Sequence, residues 1–85
     1  MNEYLELKII TRLSVIFEGK VRSVTSFNKK GKFDILPGHS QFISLVTNGI
    51  SFFDERQNQK SLVLANGVVR VIKNTITVFC EIQDI

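Results

Sequence analysis

The residues suited to nucleophilic or acid–base chemistry are few, and they lie in one stretch of the 85-residue chain. His39 stands next to Ser40, with Asp34 a few residues earlier, and these are the residue types of a nucleophilic triad. No oxyanion motif accompanies them, so the stretch lacks donors that would stabilise a developing negative charge. We therefore predict no catalytic residues and no enzymatic activity.

The sequence also lacks the ligands and motifs of a metal site or a cofactor site. A structural zinc ion needs about four Cys or His ligands, and the chain has only Cys80 and His39. Neither Gly19 nor Gly31 belongs to a phosphate-binding loop, because the Ser or Thr and the upstream Gly of that motif are missing. We predict no metal and no cofactor. A single cysteine also permits no intramolecular disulfide, and we expect no disulfide-linked partner.

The composition predicts the elements that position these residues. Alanine occurs once, at Ala65, whereas Val, Ile and Thr together occupy 24 positions. Branched side chains lose rotamer freedom on a helix and pack well on a sheet. With 44% hydrophobic and 22% charged residues, the chain is not of a disordered type. Its length suits one domain, and we predict an all-β fold.

Alternation of apolar and polar residues marks the first and last strands. Leu5, Leu7 and Ile9 face one way, and near the end Ile76 and Cys80 do the same, which places the cysteine in the core. Further strands are predicted near residues 13–17, 21–27, 32–36, 41–46, 49–53, 61–64 and 68–72. Short strands at such spacing predict an antiparallel β-sandwich of roughly eight to ten short strands.

Turn residues separate these strands. Asn48-Gly49 and Asn66-Gly67 each stand between apolar runs and predict tight type I′ hairpins. Residues 29–31, 55–59 and 73–74 are three further predicted connections.

Many strands carry apolar residues side by side, as in Ile9-Ile10, Val68-Val69 and Phe52-Phe53. Adjacent strand residues face opposite sides, so one member of each pair is expected on an outer face. Either these members lie singly over the surface or a partner covers an outer face. The sequence does not say which of Phe52 and Phe53 faces outward.

A basic hairpin offers a different interpretation. Lys29, Lys30 and Lys32 interleave with Phe27 and Phe33, as in an oligonucleotide-binding barrel, although a solvated hairpin tip has the same composition. The net charge of +3 is spread along the chain and is not a nucleic-acid signature.

The start of the chain resembles no secretory signal, and we expect a cytosolic chain that neither enters nor crosses a membrane.

Three segments of the chain form a recognisable pattern. Residues 31–39 read GKFDILPGH and are followed by SQFISLV at residues 40–46. Residues 17–24 read FEGKVRSV, and residues 66–71 with 74–78 read NGVVRV and NTITV. These segments resemble, in order, the signature, the Phe-x-Gly-x-Val turn and strand, and the closing hairpin of the N-terminal β-sandwich domain of the epsilon subunit of bacterial F-type ATP synthase. Together they cover nearly the whole chain.

This resemblance implies a non-catalytic subunit of the central stalk. It would bind the gamma subunit and the ring of c subunits, and would transmit rotation during proton-driven ATP synthesis. The implied place is the cytoplasmic face of a bacterial cell membrane, reached only through the complex, with no nucleic-acid partner. The gamma-side residues carried over are Thr11, His39 and Ser44, and the ring-side residues are Lys32, Lys30 and Phe33. Lys32 stands where many relatives have a carboxylate.

Typical relatives continue into a helical hairpin that can inhibit ATP hydrolysis. This sequence ends at Ile85, where those helices would begin. The resemblance then implies one domain over residues 1–85, with no C-terminal helical domain and no inhibitory arm, provided that Ile85 is the natural end.

Overall fold

The computed structural model of the chain describes residues 4–38 and 41–82, and the regular structure in these ranges is β-strand. The seven strands are β1 (Leu5–Ile10), β2 (Val15–Asn28), β3 (Gly31–Ile35), β4 (Phe42–Asp54), β5 (Gln59–Leu62), β6 (Leu64–Ile72) and β7 (Thr75–Ile82). The all-β prediction is confirmed. The expected eight to ten short strands become seven, because β2 and β4 each run through two predicted strands.

β2 and β4 are long enough to take part in both layers of the sandwich. The first half of β2 pairs with β1, and from Val21 onward it pairs with β4 and then β3. β4 pairs with β6 over residues 42–46 and with β2 and β5 beyond. One layer, the five-stranded layer, therefore contains β2, β1, β7, β6 and β4. The other, the four-stranded layer, contains β3, β2, β4 and β5.

One pair of neighbouring strands, β1 and β7, is parallel, which corrects the prediction of a wholly antiparallel sandwich. Glu6 pairs with Thr75 and Ile10 with Phe79. Parallel neighbours cannot be joined by a tight turn. Most of the chain lies between β1 and β7 in sequence, so no local sequence signal predicts that they pair.

Asn48 and Gly49 form a bulge inside β4, and the hairpin predicted there is wrong. Both have positive φ angles, 68° and 139°, as an Asn-Gly pair favours. The ladder with β2 shifts between Ser26 and Phe27, so Asn48 and Gly49 are extra residues within a continuing strand. The buried Ser26 hydroxyl donates to the Gly49 carbonyl over 2.7 Å. This bond holds the bulge where β4 passes between the two layers.

Asn66 and Gly67 lie inside β6, so the second predicted Asn-Gly hairpin is also wrong. Gly67 pairs with Cys80 of β7. A Cβ added at Gly67 would lie 2.8 Å from the Phe79 carbonyl oxygen, closer than side chains come to a backbone. Glycine is therefore needed here because two strands approach closely, and not because the chain turns.

The remaining predicted connections are confirmed. Lys73 and Asn74 join β6 to β7 with φ angles of 46° and 59°, as a type I′ hairpin requires. Lys29 and Lys30 form the turn into β3, followed by Gly31 at a φ of 117°. Residues 55–58 connect β4 to β5.

The core lies between the two layers and is built from alternate strand positions. Its buried apolar residues are Leu5, Leu7, Ile9, Val21, Val24, Ile35, Val46, Ile50, Phe52, Leu64, Val69, Val71, Ile76, Val78 and Cys80. The predicted core position of Cys80 is confirmed. Phe52 is 3% exposed and Phe53 39%, so Phe53 is the outward member of that pair.

Candidate docking face

Five apolar side chains form a row across the outer surface of the five-stranded layer. Strand pairing places side by side Leu45 of β4, Val68 of β6, Phe79 of β7, Ile10 of β1 and Val15 of β2. Leu45 is 70% exposed, Val15 50% and Phe79 49%, and the other two are half-buried. We call these five residues the apolar row. A contiguous apolar surface of this kind is typical of a protein interface.

A groove borders the apolar row, and Thr11 and Arg12 line it together with Leu45 and Phe79. Thr11 shapes the turn that follows β1. Its Oγ1 accepts hydrogen bonds of 3.2 Å from the backbone N–H groups of Leu13 and Ser14. Because these local bonds fix the turn, Thr11 stays beside the groove and Leu13 projects outward, 88% exposed.

Polar and charged residues dominate the next row of the same surface. Going across the sheet from β4 to β2, strand pairing places side by side Ile43, Arg70, Thr77, Lys8 and Glu18. Lys8 and Glu18 are cross-strand neighbours of opposite charge. Arg70 instead lies between Ile43 and Thr77. The docking face therefore combines an apolar row with a flanking row that contains charges of both signs.

The outer surface of the four-stranded layer is polar by contrast. Asp34, Thr25, Ser51 and Ser61 lie side by side across it. The Thr25 hydroxyl donates to the Asp34 carboxylate over 2.5 Å. Phe53 adds one half-exposed ring to this surface. The two outer faces thus differ in chemistry, and the apolar one is the candidate for docking.

The three predicted gamma-side residues have different positions. Thr11 lines the groove beside the apolar row, as described above. Ser44 lies on β4 between the exposed Ile43 and Leu45, accepts a 3.4 Å hydrogen bond from the Asn28 side chain and donates to the Leu45 carbonyl. His39 lies outside the described residues. The structure therefore places Thr11 beside the apolar row. Ser44 pairs with the buried Val69, so its side chain faces the opposite side of β4 from Leu45 and lines the groove at the edge of that strand.

The predicted ring-side residues divide into exposed and packed members. Lys30 is exposed in the turn between β2 and β3, and Lys32 is exposed at the start of β3. The Asn28 side chain accepts a 2.8 Å hydrogen bond from the Lys30 backbone N–H. Phe33 points toward the core, with its ring 6.3 Å from that of Phe42 in an edge-to-face arrangement. The turn borders the docking face, because Lys30 shares a shallow groove with Leu45.

Among the described residues, two titratable groups have shifted pKa values, and neither shift indicates catalysis. Burial raises the pKa of the Cys80 thiol above its ordinary value. Backbone hydrogen bonds from Asn58 and then Arg56 lower the pKa of the Asp54 carboxyl, which closes the turn after β4. Within residues 4–38 and 41–82, no group of three His, Cys, Asp or Glu side chains is arranged to hold a metal.

In the part of the chain that the structure describes, no helix is long and apolar enough to cross a membrane.

Sequence reasoning missed Leu45, Ile43 and Phe79 as exposed members of one surface. The apolar doublets indicated that some surface needs a cover, but not which residues share it. Their alignment depends on the parallel pairing of β1 with β7 and on the register of β6 with β4. These are non-local contacts, so the sequence pattern carries no direct signal for the row.

The chain is similar to known proteins along nearly its whole length. The sequence model of the family described as ATP synthase, Delta/Epsilon chain, beta-sandwich domain matches residues 4–82. The ATP synthase epsilon chain of Wolinella succinogenes is 37% identical over 82 residues, which cover 95% of this chain and 63% of that protein. The epsilon chain of a Nitratiruptor species is 35% identical over 78 residues, covering 91% and 60%. The chain thus spans about three-fifths of the length of these curated relatives.

Solved structures share the fold at low sequence identity. A chain in the cryo-EM structure of the Euglena gracilis mitochondrial ATP synthase, comprising OSCP, F1 and c-ring in rotational state 1, matches with a TM-score of 0.85 and 14% identity. The match covers 94% of this chain and 52% of that one. A chain of the Tetrahymena thermophila mitochondrial ATP synthase central stalk and c-ring matches with a TM-score of 0.72 and 19% identity, covering 94% and 66%.

Proposed function

Because the chain belongs to the family of the ATP synthase delta/epsilon chain β-sandwich domain, we propose that it is a non-catalytic central-stalk subunit of an F-type ATP synthase. In this role it links the gamma subunit to the c ring and transmits rotation during proton-driven ATP synthesis. It reaches the cytoplasmic face of the bacterial membrane as a peripheral subunit, through the complex alone.

The apolar row is the main structural observation that supports this proposal. Its side chains cross all five strands of one layer, so a partner can bury them together as one surface. Burial of apolar area is the main favourable term in association. We assign this face to the gamma subunit, with Thr11 at its border, while Ser44 at the edge of β4 and His39 are carried over from the family resemblance.

The basic turn is assigned to the c ring. Lys30 and Lys32 are exposed there, and Phe33 supports the turn from the core side through its contact with Phe42. The turn borders the docking face, so one small body can contact the gamma subunit and the ring at once. A densely packed sandwich deforms little, which suits a part that passes on torque.

Phe79→Ser tests the assignment of the docking face. Phe79 is central in the apolar row, so its truncation should weaken binding to the gamma subunit at least tenfold, as for a central apolar anchor. Phe53→Ser on the opposite layer is the matched control, since both rings are half-exposed. Affinity is measured by titrating each folded chain with the gamma subunit of the same organism.

Equal affinity of the Phe79 and Phe53 variants would contradict the assignment, and an unaltered chain that binds no gamma subunit would refute the proposed function.

The oligonucleotide-binding alternative is not favoured by the family match. It requires that the chain bind single-stranded nucleic acid at low salt, with affinity falling steeply as salt rises.

A further inference from the structure

Arg70 stands apart from the other charges of the docking face because its neighbours are mostly apolar. Ile43 and Thr77 lie beside it on the adjoining strands. Val68 and Ile72 precede and follow it on the same face of β6. Arg70 therefore lies next to the edge strand β4, in the row that flanks the apolar row.

No acidic side chain of the described residues pairs with this arginine. Within residues 4–38 and 41–82, the structure contains no ion pair or hydrogen bond to the Arg70 side chain. Across its row the nearest charge is Lys8, two strands away, and Glu18 is three strands away. The nearest carboxylate on this face is Glu6, two strands away in the following row, about 12 Å off at the usual strand spacing and rise, and its cross-strand neighbour is Lys20. At a strand spacing of about 4.8 Å, Glu18 is about 14 Å from Arg70. Lys8 also has Glu18 as its own cross-strand neighbour.

A partner that covers the apolar row must also remove water from Arg70. Leaving a buried guanidinium without a counter-charge is costly, whereas a well-aligned carboxylate satisfies several of its donors at once. Arginine is also enriched among the residues that dominate binding energy at interfaces.

We propose that Arg70 determines partner specificity on this face, by pairing with a carboxylate on the surface that covers the apolar row. The inference rests on the proposed function, which makes that surface part of the gamma subunit. The matching gamma subunit should then place an Asp or Glu side chain opposite Arg70, beside its own apolar contact strip.

The test uses Arg70→Ala, Arg70→Lys and Arg70→Glu, with Arg56→Ala as the matched control. Arg56 is an exposed arginine in the turn between β4 and β5. Loss of a buried charge pair typically costs about 2 kcal/mol or more, which is about a 30-fold rise in Kd for Arg70→Ala. Arg70→Lys keeps the charge but not the planar fork, and should weaken binding less. Arg70→Glu should weaken binding most, and reversal of one gamma-subunit carboxylate should restore it.

The outcomes distinguish the role of Arg70 from the proposed function. If the unaltered chain binds the gamma subunit and Arg70→Ala matches Arg56→Ala within about twofold, the role of Arg70 is overturned and the proposed function stands. If the unaltered chain does not bind, both fall. Concentration-dependent self-association that is lost in Arg70→Glu would also overturn the inference, because the counter-charge would then belong to a second copy of this chain.

Discussion

At the residue scale, Gly67 shows how one missing side chain sets the distance between two strands. An added Cβ would lie 2.8 Å from the Phe79 carbonyl oxygen and 2.9 Å from the Cys80 Cβ. Because both contacts belong to β7, the strand that carries Phe79 into the apolar row, the close approach also fixes the docking face. The sequence marks this position with Asn-Gly, but the reason for the glycine is contact with a distant strand.

Gly67→Ala should therefore lower the free energy of unfolding by about 1–3 kcal/mol, the usual cost of overpacking. Gly19→Ala is the control, because the Cβ there meets only the Phe17 ring at 3.4 Å, an ordinary contact. Urea denaturation of both variants measures the difference. If Gly67→Ala were as stable as Gly19→Ala, the close approach would not be the reason for glycine in β6.

At the scale of the strands, local signals predicted conformation better than they predicted pairing. Asn48 and Gly49 adopt the positive φ angles that their types favour, yet they form a bulge and not a hairpin. Both structures use the same local geometry, and the difference lies in whether β2 continues to pair beyond them. At Lys73 and Asn74 the next strand in sequence is the partner, and the hairpin prediction succeeded.

Because strand pairing is non-local, the sequence also predicted the candidate site only in part. Thr11 and Ser44 came from resemblance to family segments, and the structure places Thr11 beside the apolar row and Ser44 on the edge strand, facing the other side from Leu45. The row itself could not be predicted, because its order depends on the parallel contact between Ile10 and Phe79. No local pattern in the sequence places Phe79 next to Ile10.

The bulge in β4 is open to a direct test through Asn48, whose φ is 68°. Asn48→Gly should leave stability nearly unchanged, since glycine adopts this conformation readily. Asn48→Val should lower the free energy of unfolding by about 1–3 kcal/mol, because a β-branched residue is strained there. Thermal unfolding of the pair checks this expectation. Equal stability of the two variants would show that the positive φ at residue 48 is not maintained.

At the scale of the whole molecule, the chain is a flat body of 41 × 26 × 19 Å with two unlike outer faces. A domain of this size buries only about 60 to 65% of the surface that its unfolded chain exposes. The apolar row is therefore part of the hydrophobic surface that folding alone leaves in water. A partner on that face should raise the stability of the fold as well as complete an interface, because it binds the folded chain only.

This coupling predicts the effect of the gamma subunit on thermal unfolding. At a free partner concentration about 100 times Kd, binding adds about 2.7 kcal/mol to the free energy of unfolding. For a domain of this length, 1 kcal/mol corresponds to about 4–8 °C, so Tm should rise by about 10–20 °C. Phe79→Ser at the same partner concentration should show a smaller rise, while Phe53→Ser keeps the full one. A Tm that is independent of the partner, in a mixture shown to contain the complex, would mean that the unfolded chain binds equally well and that the folded docking face is not what the gamma subunit recognises.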